Sequence, residues 1–395
     1  LDFFEYRLNL MPPRKKTFSF IYFLGFLWSL AFSLPLYVQS SFISSIVGLE
    51  NVGLVVFISN LVSFLTLVGY GRLIRRFSNW RVAIGMVILN LLTVLFLVLS
   101  TGLWSIFLYI MVFITMNLFG VNLDLFLESI SDDSDTGRIR TNMLAVQNVA
   151  IFLAPMLMGY IVGDNNYLRI YLIGGVIFFP VLFLLFYQKK LVVDRIEYNE
   201  RSFRVLRQLF KVNKNIPRIF VIQFALRFFF AAMVLYTPIY LHDNLGFSWS
   251  QIGPMFTIML LPFLLLQIPA GRIADKVLGE KEMTITGLIF MITFTTVIIF
   301  FSSESWLLWA FVLFLTRVGA SLVEAMNESF FFKQISSQDV DIINMFRDLQ
   351  PIGWLSAAAV TFVLLHYFSI ISIFVAVVII LILALWPAIK LVDTK

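Results

Sequence analysis

Runs of about twenty apolar residues, broken only by short charged connections, recur along almost the whole of this 395-residue chain. A span of that length as a helix crosses the hydrocarbon core of a bilayer, where every backbone N–H and C=O must be paired within the segment. Twelve such runs are read, at roughly 18–40, 51–70, 82–100, 103–128, 142–163, 167–187, 219–240, 251–270, 284–302, 305–330, 343–365 and 369–388. None alternates polar and apolar residues over ten positions as a membrane barrel requires, so the expected fold class is an all-α integral membrane protein with twelve transmembrane helices. A mean hydropathy of +0.92 agrees, being far more apolar than one soluble core can use.

The second half repeats the first. Gly71-Arg72-Leu73-Ile74-Arg75-Arg76-Phe77 has its counterpart 200 positions on, in Gly271-Arg272-Ile273-Ala274-Asp275-Lys276-Val277, and each copy connects two apolar runs. Gly53 recurs as Gly253, and Leu34-Pro35-Leu36-Tyr37 recurs as Thr237-Pro238-Ile239-Tyr240. Asn117, Asp124 and Glu128 align with Arg317, Glu324 and Glu328, again 200 positions apart. Duplication of six spans is expected from this pattern, as two pseudo-symmetric bundles over 18–187 and 219–388. The remainder is a lead at 1–17, with residues 1–10 peripheral, a linker at 188–218 holding nine basic and three acidic residues, and a tail at 389–395.

The glycine, arginine and aspartate spacing of these two loops resembles the motif between the second and third helices of the major facilitator superfamily, with Arg75 in place of the motif's acid in the first copy and Asp275 retained in the second. That resemblance implies a secondary transporter whose two halves rock about a central cavity lined by the first, fourth, seventh and tenth helices. It also implies a gate at the loops, to which Gly71, Arg72, Arg75, Arg76, Gly271, Arg272, Asp275 and Lys276 belong. Arg138 and Arg140, and Asp339 and Asp341, are the expected charge partners from the opposite halves. Ala154-Pro155-Met156-Leu157-Met158-Gly159 loosely resembles the superfamily's antiporter motif and tilts the expectation towards export.

Charge placement points the same way. Of 29 Lys and Arg, only Arg169 falls in a loop of one parity, Arg227 and Arg317 lie within spans, and the other 26 fall on the opposite side or at the termini. By the positive-inside rule both termini are then cytoplasmic, in a multi-pass protein of the cell (inner) membrane. The net charge of +6 is explained by topology, and no nucleic-acid partner is expected.

Ionisable groups inside spans are expensive, about 2.5–3.5 kcal/mol each on insertion scales, and so must face partners or water. Positions i, i+7 and i+11 lie within about 40° of one another on a helix, so Arg317, Glu324 and Glu328 form one polar stripe and Asn117, Asp124 and Glu128 another. Arg227 is the third such group. Arg227 and Arg317 are candidates for binding an anionic group or for ion pairing, Glu324 for the counter-charge and coupling site, Asp124 as its runner-up. Static pairing of helices competes with that reading, and cytoplasmic solvation competes for Glu128 and Glu328. Tyr37 and Tyr240 are candidate cavity residues, or aromatic-belt residues beside prolines.

The chain lacks Cys and has only His242 and His366, which excludes thiolate chemistry and a multi-His metal centre. No Walker loop or Ser/His/Asp set is present, and Asp132-Asp133-Ser134-Asp135 lacks the helical spacing of a metal-binding acidic cluster; neither an enzyme, a metal nor a cofactor is expected. The leading expectation is a monomeric transporter of a small solute, anionic or amphipathic, coupled to a proton or another ion. The alternative is a non-transporting receptor or lipid-handling protein on the same scaffold.

Overall fold

The computed structural model describes residues 14–130, 136–163, 165–187, 213–274, 279–335 and 340–392. Fourteen α-helices occur among the described residues: α1 Arg14–Ser33, α2 Gln39–Val47, α3 Val52–Phe77, α4 Asn79–Leu99, α5 Leu103–Ile130, α6 Thr136–Val162, α7 Leu168–Tyr187, α8 Asn215–Ile239, α9 Trp249–Leu265, α10 Gln267–Ile273, α11 Glu280–Phe300, α12 Trp306–Gln334, α13 Val340–Tyr367 and α14 Ile371–Ile389. No strand is present among them. Ten segments are long and apolar enough to cross a membrane, and two shorter apolar helices, Thr17–Ser33 and Trp249–Leu265, stand at the expected first and eighth spans. Large apolar side chains on the outer faces, such as Phe96, Val176, Phe183 and Leu383, are more than half exposed, as lipid-facing residues are.

Those two shorter helices mark where the structure departs from uninterrupted spans. In the first, Pro35 lacks an N–H and disfavours a helical conformation at Leu34, so α1 stops at Ser33 and Leu34–Val38 form a turn before α2. In the eighth, the chain breaks between α9 and α10 at Leu266, four residues beyond Pro262. The repeat partner of Pro35 behaves differently: Pro238 stays inside α8, and a wide π turn follows over Tyr240–Asn244.

The chain divides into two compact units, Leu1–Gln39 with Ile58–Asn199, and Ser40–Phe57 with Glu200–Lys395. In the first, α1 packs on α6 and α7, and α4 on α5 and α7. Trp28 fixes α1 against α5 by donating its indole N–H to the Met116 carbonyl at 2.9 Å, over Gly120, where a Cβ would approach the indole to 2.7 Å. A buried amide pair ties α4 to α5: Asn122 donates to Asn79 Oδ1 at 2.6 Å, Asn79 donates to the Asn122 carbonyl at 3.1 Å, and Tyr70 Oη of α3 donates to Asn122 Oδ1 at 2.6 Å. That network sits beside the end of α3, where the first glycine-arginine motif is helical rather than a loop and the chain reverses through the single residue Ser78 (φ 75°, ψ 148°).

In the second unit α11 and α12 cross at mutually facing glycines. A Cβ on Gly287 would lie 2.7 Å from the Gly319 carbonyl oxygen, and one on Gly319 would lie 2.5 Å from that of Gly287. Small residues allow this approach where lipid supplies no hydrophobic drive between helices. Helix α8 packs on α13 and α14, and its start is clamped to the chain end: Asn215 donates to the Val392 carbonyl at 3.0 Å and accepts from the Val392 N–H at 3.1 Å. The reversal before α11 uses Gly279 at φ 89°, ψ 158°, nearly the backbone of Ser78 in the other unit.

Candidate functional site

The second unit places an ionic cluster between α8 and α12. Arg227 Nη1 donates to Glu324 Oε1 at 2.9 Å, and Arg227 Nη2 lies 3.7 Å from Glu328 Oε1. Glu324 and Glu328 are one helical turn apart and therefore share the face of α12 that meets α8. The side chains of Arg227 and Glu324 are 15% and 19% exposed, and that of Glu328 is 47% exposed, so the cluster runs from a nearly dry pair to a wetter carboxylate.

The rest of the guanidinium is held by neighbours. The Gln223 amide is oriented with its oxygen towards Arg227, where it accepts from Nε at 3.1 Å and Nη2 at 3.0 Å. Its other end adjoins the amide of Asn327 on α12 at 3.0 Å. From α13, Gly353 lies against Arg227 so closely that a Cβ would fall 2.6 Å from the arginine Cβ. The Phe230 ring completes the surround at 5.8 Å from the guanidinium carbon.

Arg317 is 2% exposed and stacks over Phe229 at 4.8 Å and over Phe230 at 5.6 Å. Phe230 thus touches both intramembrane arginines. A desolvated guanidinium over an aromatic face gains about 2 kcal/mol, which offsets part of the burial penalty of Arg317.

Of the expected residues, Arg227, Glu324 and Glu328 come together, and Arg317 joins them through Phe230. The equivalent stripe in the first unit is laid out differently. Asn117 donates to the Phe113 carbonyl of its own helix at 2.8 Å, Asp124 is exposed, and Glu128 lies 3.7 Å from Arg140 Nη2. Tyr37 is buried, and Tyr240 packs edge-on against Trp309 and Phe374 at 6.0 and 5.3 Å. Gly71, Arg72, Arg75 and Arg76 form the last turns of α3, the three arginines exposed. Gly271 lies on α10. Asp275, Lys276, Asp339 and the 132–135 cluster lie outside the described residues, as do the side chains of Arg138, Arg272 and Asp341.

Sequence reasoning missed Gln223, Phe230, Asn327 and Gly353. Gln223 carried a usable signal, being a polar residue one turn before Arg227 in an apolar run; Phe230 is one of 44 phenylalanines and carried none. A second ion pair was also missed: Glu280, 2% exposed at the start of α11, accepts from the exposed Lys333 Nζ and from Ser329 Oγ of α12.

No curated protein matches the sequence. Solved structures share the fold at low identity. A nucleoside transporter, NupG, aligns with a TM-score of 0.73 at 11% identity, over 95% of this chain and 99% of its own. A bacterial homologue of the iron transporter ferroportin, in an inward-facing state, aligns at 0.71 and 14% identity, over 96% and 99%. The POT family transporter PepTSo aligns at 0.71 and 13%, over 96% and 97%. The family model of the Major Facilitator Superfamily matches residues 126–349, more than half of the chain. With that match, an all-helical fold and apolar helices of membrane-spanning length, the chain belongs to the Major Facilitator Superfamily of membrane transporters, not to a family of enzymes.

Proposed function

We propose that this protein is a secondary active transporter that moves a small solute by alternating access, with Arg227 and Glu324 as its charge-switching pair. The observation that carries the reading is a nearly dry Arg227–Glu324 contact with a second carboxylate, Glu328, at its wetter edge. Such a pair is strong while both groups are charged and is disrupted when the carboxylate takes up a proton or the arginine binds another anion. An anionic or amphipathic solute competing for Arg227, with Glu324 accepting the coupling proton, uses both properties. Arg317, held by two rings, contributes fixed positive potential rather than a movable contact.

In this reading the two shorter helices α1 and α9 count as spans, making twelve in two six-helix halves, with both termini in the cytoplasm and the protein a monomer in the cell membrane. Asn117, Asp124, Glu128, Tyr37 and Tyr240 contribute to the solute path. The loop residues around Arg75 and Asp275, with Arg138, Arg140, Asp339 and Asp341, act as the inner gate. Export is the favoured direction, on the weak Pro155–Gly159 signal. The nucleoside, peptide and iron transporters that share the fold fit a small-solute role without selecting among substrates.

Counterflow and gradient-driven uptake in proteoliposomes, across a panel of organic anions and amphipathic solutes, test this function. Saturable exchange of at least one solute is expected. Absence of flux across the panel from folded protein would favour a non-transporting role.

A further inference from the structure

The break in the first span leaves a cavity inside the first compact unit. Pro35 stops α1 at Ser33, and beside the break α1, α4, α5 and α7 enclose a void of about 490 Å³, the open space at its mouth included. Every residue that lines it belongs to the first unit. Val94, Val112 and Met116 give it aliphatic walls, and Tyr109 and Tyr171, edge-on at 6.3 Å, add an aromatic one. Phe32, Leu36 and Phe113 are partly exposed and mark the opening.

The break also supplies two polar groups. In an unbroken helix the Ala31 carbonyl accepts from the N–H of residue 35, and proline has none. That carbonyl faces α7, where a Cβ on Gly174 would lie 3.4 Å from its oxygen. Gln39, the first residue of α2, is 5% exposed, and its side-chain oxygen accepts from Tyr109 Oη at 2.8 Å. This bond uses the acceptor end of the amide and leaves the two N–H donors of Gln39 for an occupant. No Asp, Glu, Lys, Arg or His is among the described residues that line the cavity. A charged occupant would be desolvated there without a counter-charge, whereas an uncharged one with a donor and an acceptor matches both polar groups.

We propose that this cavity binds a small uncharged aromatic alcohol or amide, its ring among the apolar walls, its O–H or N–H donating to the Ala31 carbonyl and its oxygen accepting from Gln39. An occupant so held braces the break in α1 against α7. The residues that form this site are none of those in the Arg227 cluster, and binding here does not depend on whether the protein transports.

The test is isothermal titration calorimetry of the full-length protein in detergent, with titrations into detergent alone subtracted. The probes are 2-phenylethanol, its anionic counterpart phenylacetate, and ethylbenzene, which lacks the polar group. Saturable binding of 2-phenylethanol is expected, with ethylbenzene weaker by about tenfold and phenylacetate not bound. Gln39→Leu is expected to weaken 2-phenylethanol binding about tenfold, while Tyr109→Phe, which keeps the Gln39 donors, changes it by less than about threefold. Gly174→Ala sets a methyl in ordinary contact with the Ala31 oxygen and, should Gln39→Leu not fold, gives a second reading, an expected loss of about fivefold. No saturable binding of 2-phenylethanol, equal binding of phenylacetate or ethylbenzene, or an affinity unchanged in either folded variant would each overturn the assignment.

Discussion

Arg227 Nη1 and Glu324 Oε1 meet at 2.9 Å between α8 and α12, and the same guanidinium reaches Glu328 at 3.7 Å. Removing the cation leaves two carboxylates one turn apart in a poorly solvated site, whereas neutralising Glu324 leaves Arg227 with Glu328 and Gln223. Arg227→Ala is therefore expected to lower the melting temperature in detergent by several degrees, in line with about 3–5 kcal/mol for a broken buried pair. Glu324→Gln is expected to shift it much less. Equal shifts would mean that the second carboxylate does not share the arginine.

Ser78 occupies a backbone region that is essentially reserved for glycine, at a strain of about 1–3 kcal/mol. Ser78→Gly is expected to raise the melting temperature, and Gly279→Ser, at the matching turn, to lower it. Differential scanning fluorimetry of both variants checks the opposed signs.

The crossing of α11 and α12 depends on Gly287 and Gly319, whose missing Cβ atoms would sit 2.7 and 2.5 Å from backbone oxygens. Gly319→Ala is expected to destabilise by about 1–3 kcal/mol, as overpacking does. Gly85→Ala, where a Cβ would meet nothing within 4 Å, is the control and is expected to be neutral or slightly stabilising.

Asn122 joins three helices by accepting from Tyr70 and pairing with Asn79. Asn122→Leu removes the acceptor of Tyr70 and the partner of Asn79, at about 1–3 kcal/mol for each buried group so affected. Adding Tyr70→Phe to that variant is expected to add less than Tyr70→Phe costs in the wild type. Additive melting shifts in the double-mutant cycle would contradict the network.

The parts of this fold that were legible in the sequence are those where the bilayer penalises the alternative. Arg227 and Glu324 stood out because charge within an apolar run has to be met by something, and they meet each other. Runs of apolar residues also located the helices, but not the turn at Leu34–Val38 or the break at Leu266, because proline is tolerated in membrane helices when neighbours re-pair the freed backbone groups. Pro35 ends a helix and its repeat partner Pro238 does not, although the tetrapeptides around them align. The Asn79–Asn122 pair and the Glu280–Lys333 pair join residues 43 and 53 positions apart. No local period encodes such contacts.

In the proposed mechanism Glu324 couples solute movement to an ion gradient through Arg227. Transport by Glu324→Gln in proteoliposomes, with a solute that wild type accumulates, tests this coupling. Counterflow is expected to be retained, with accumulation driven by a pH gradient lowered tenfold or more. Gradient-driven accumulation at the wild-type level by the folded variant would rule the coupling role out.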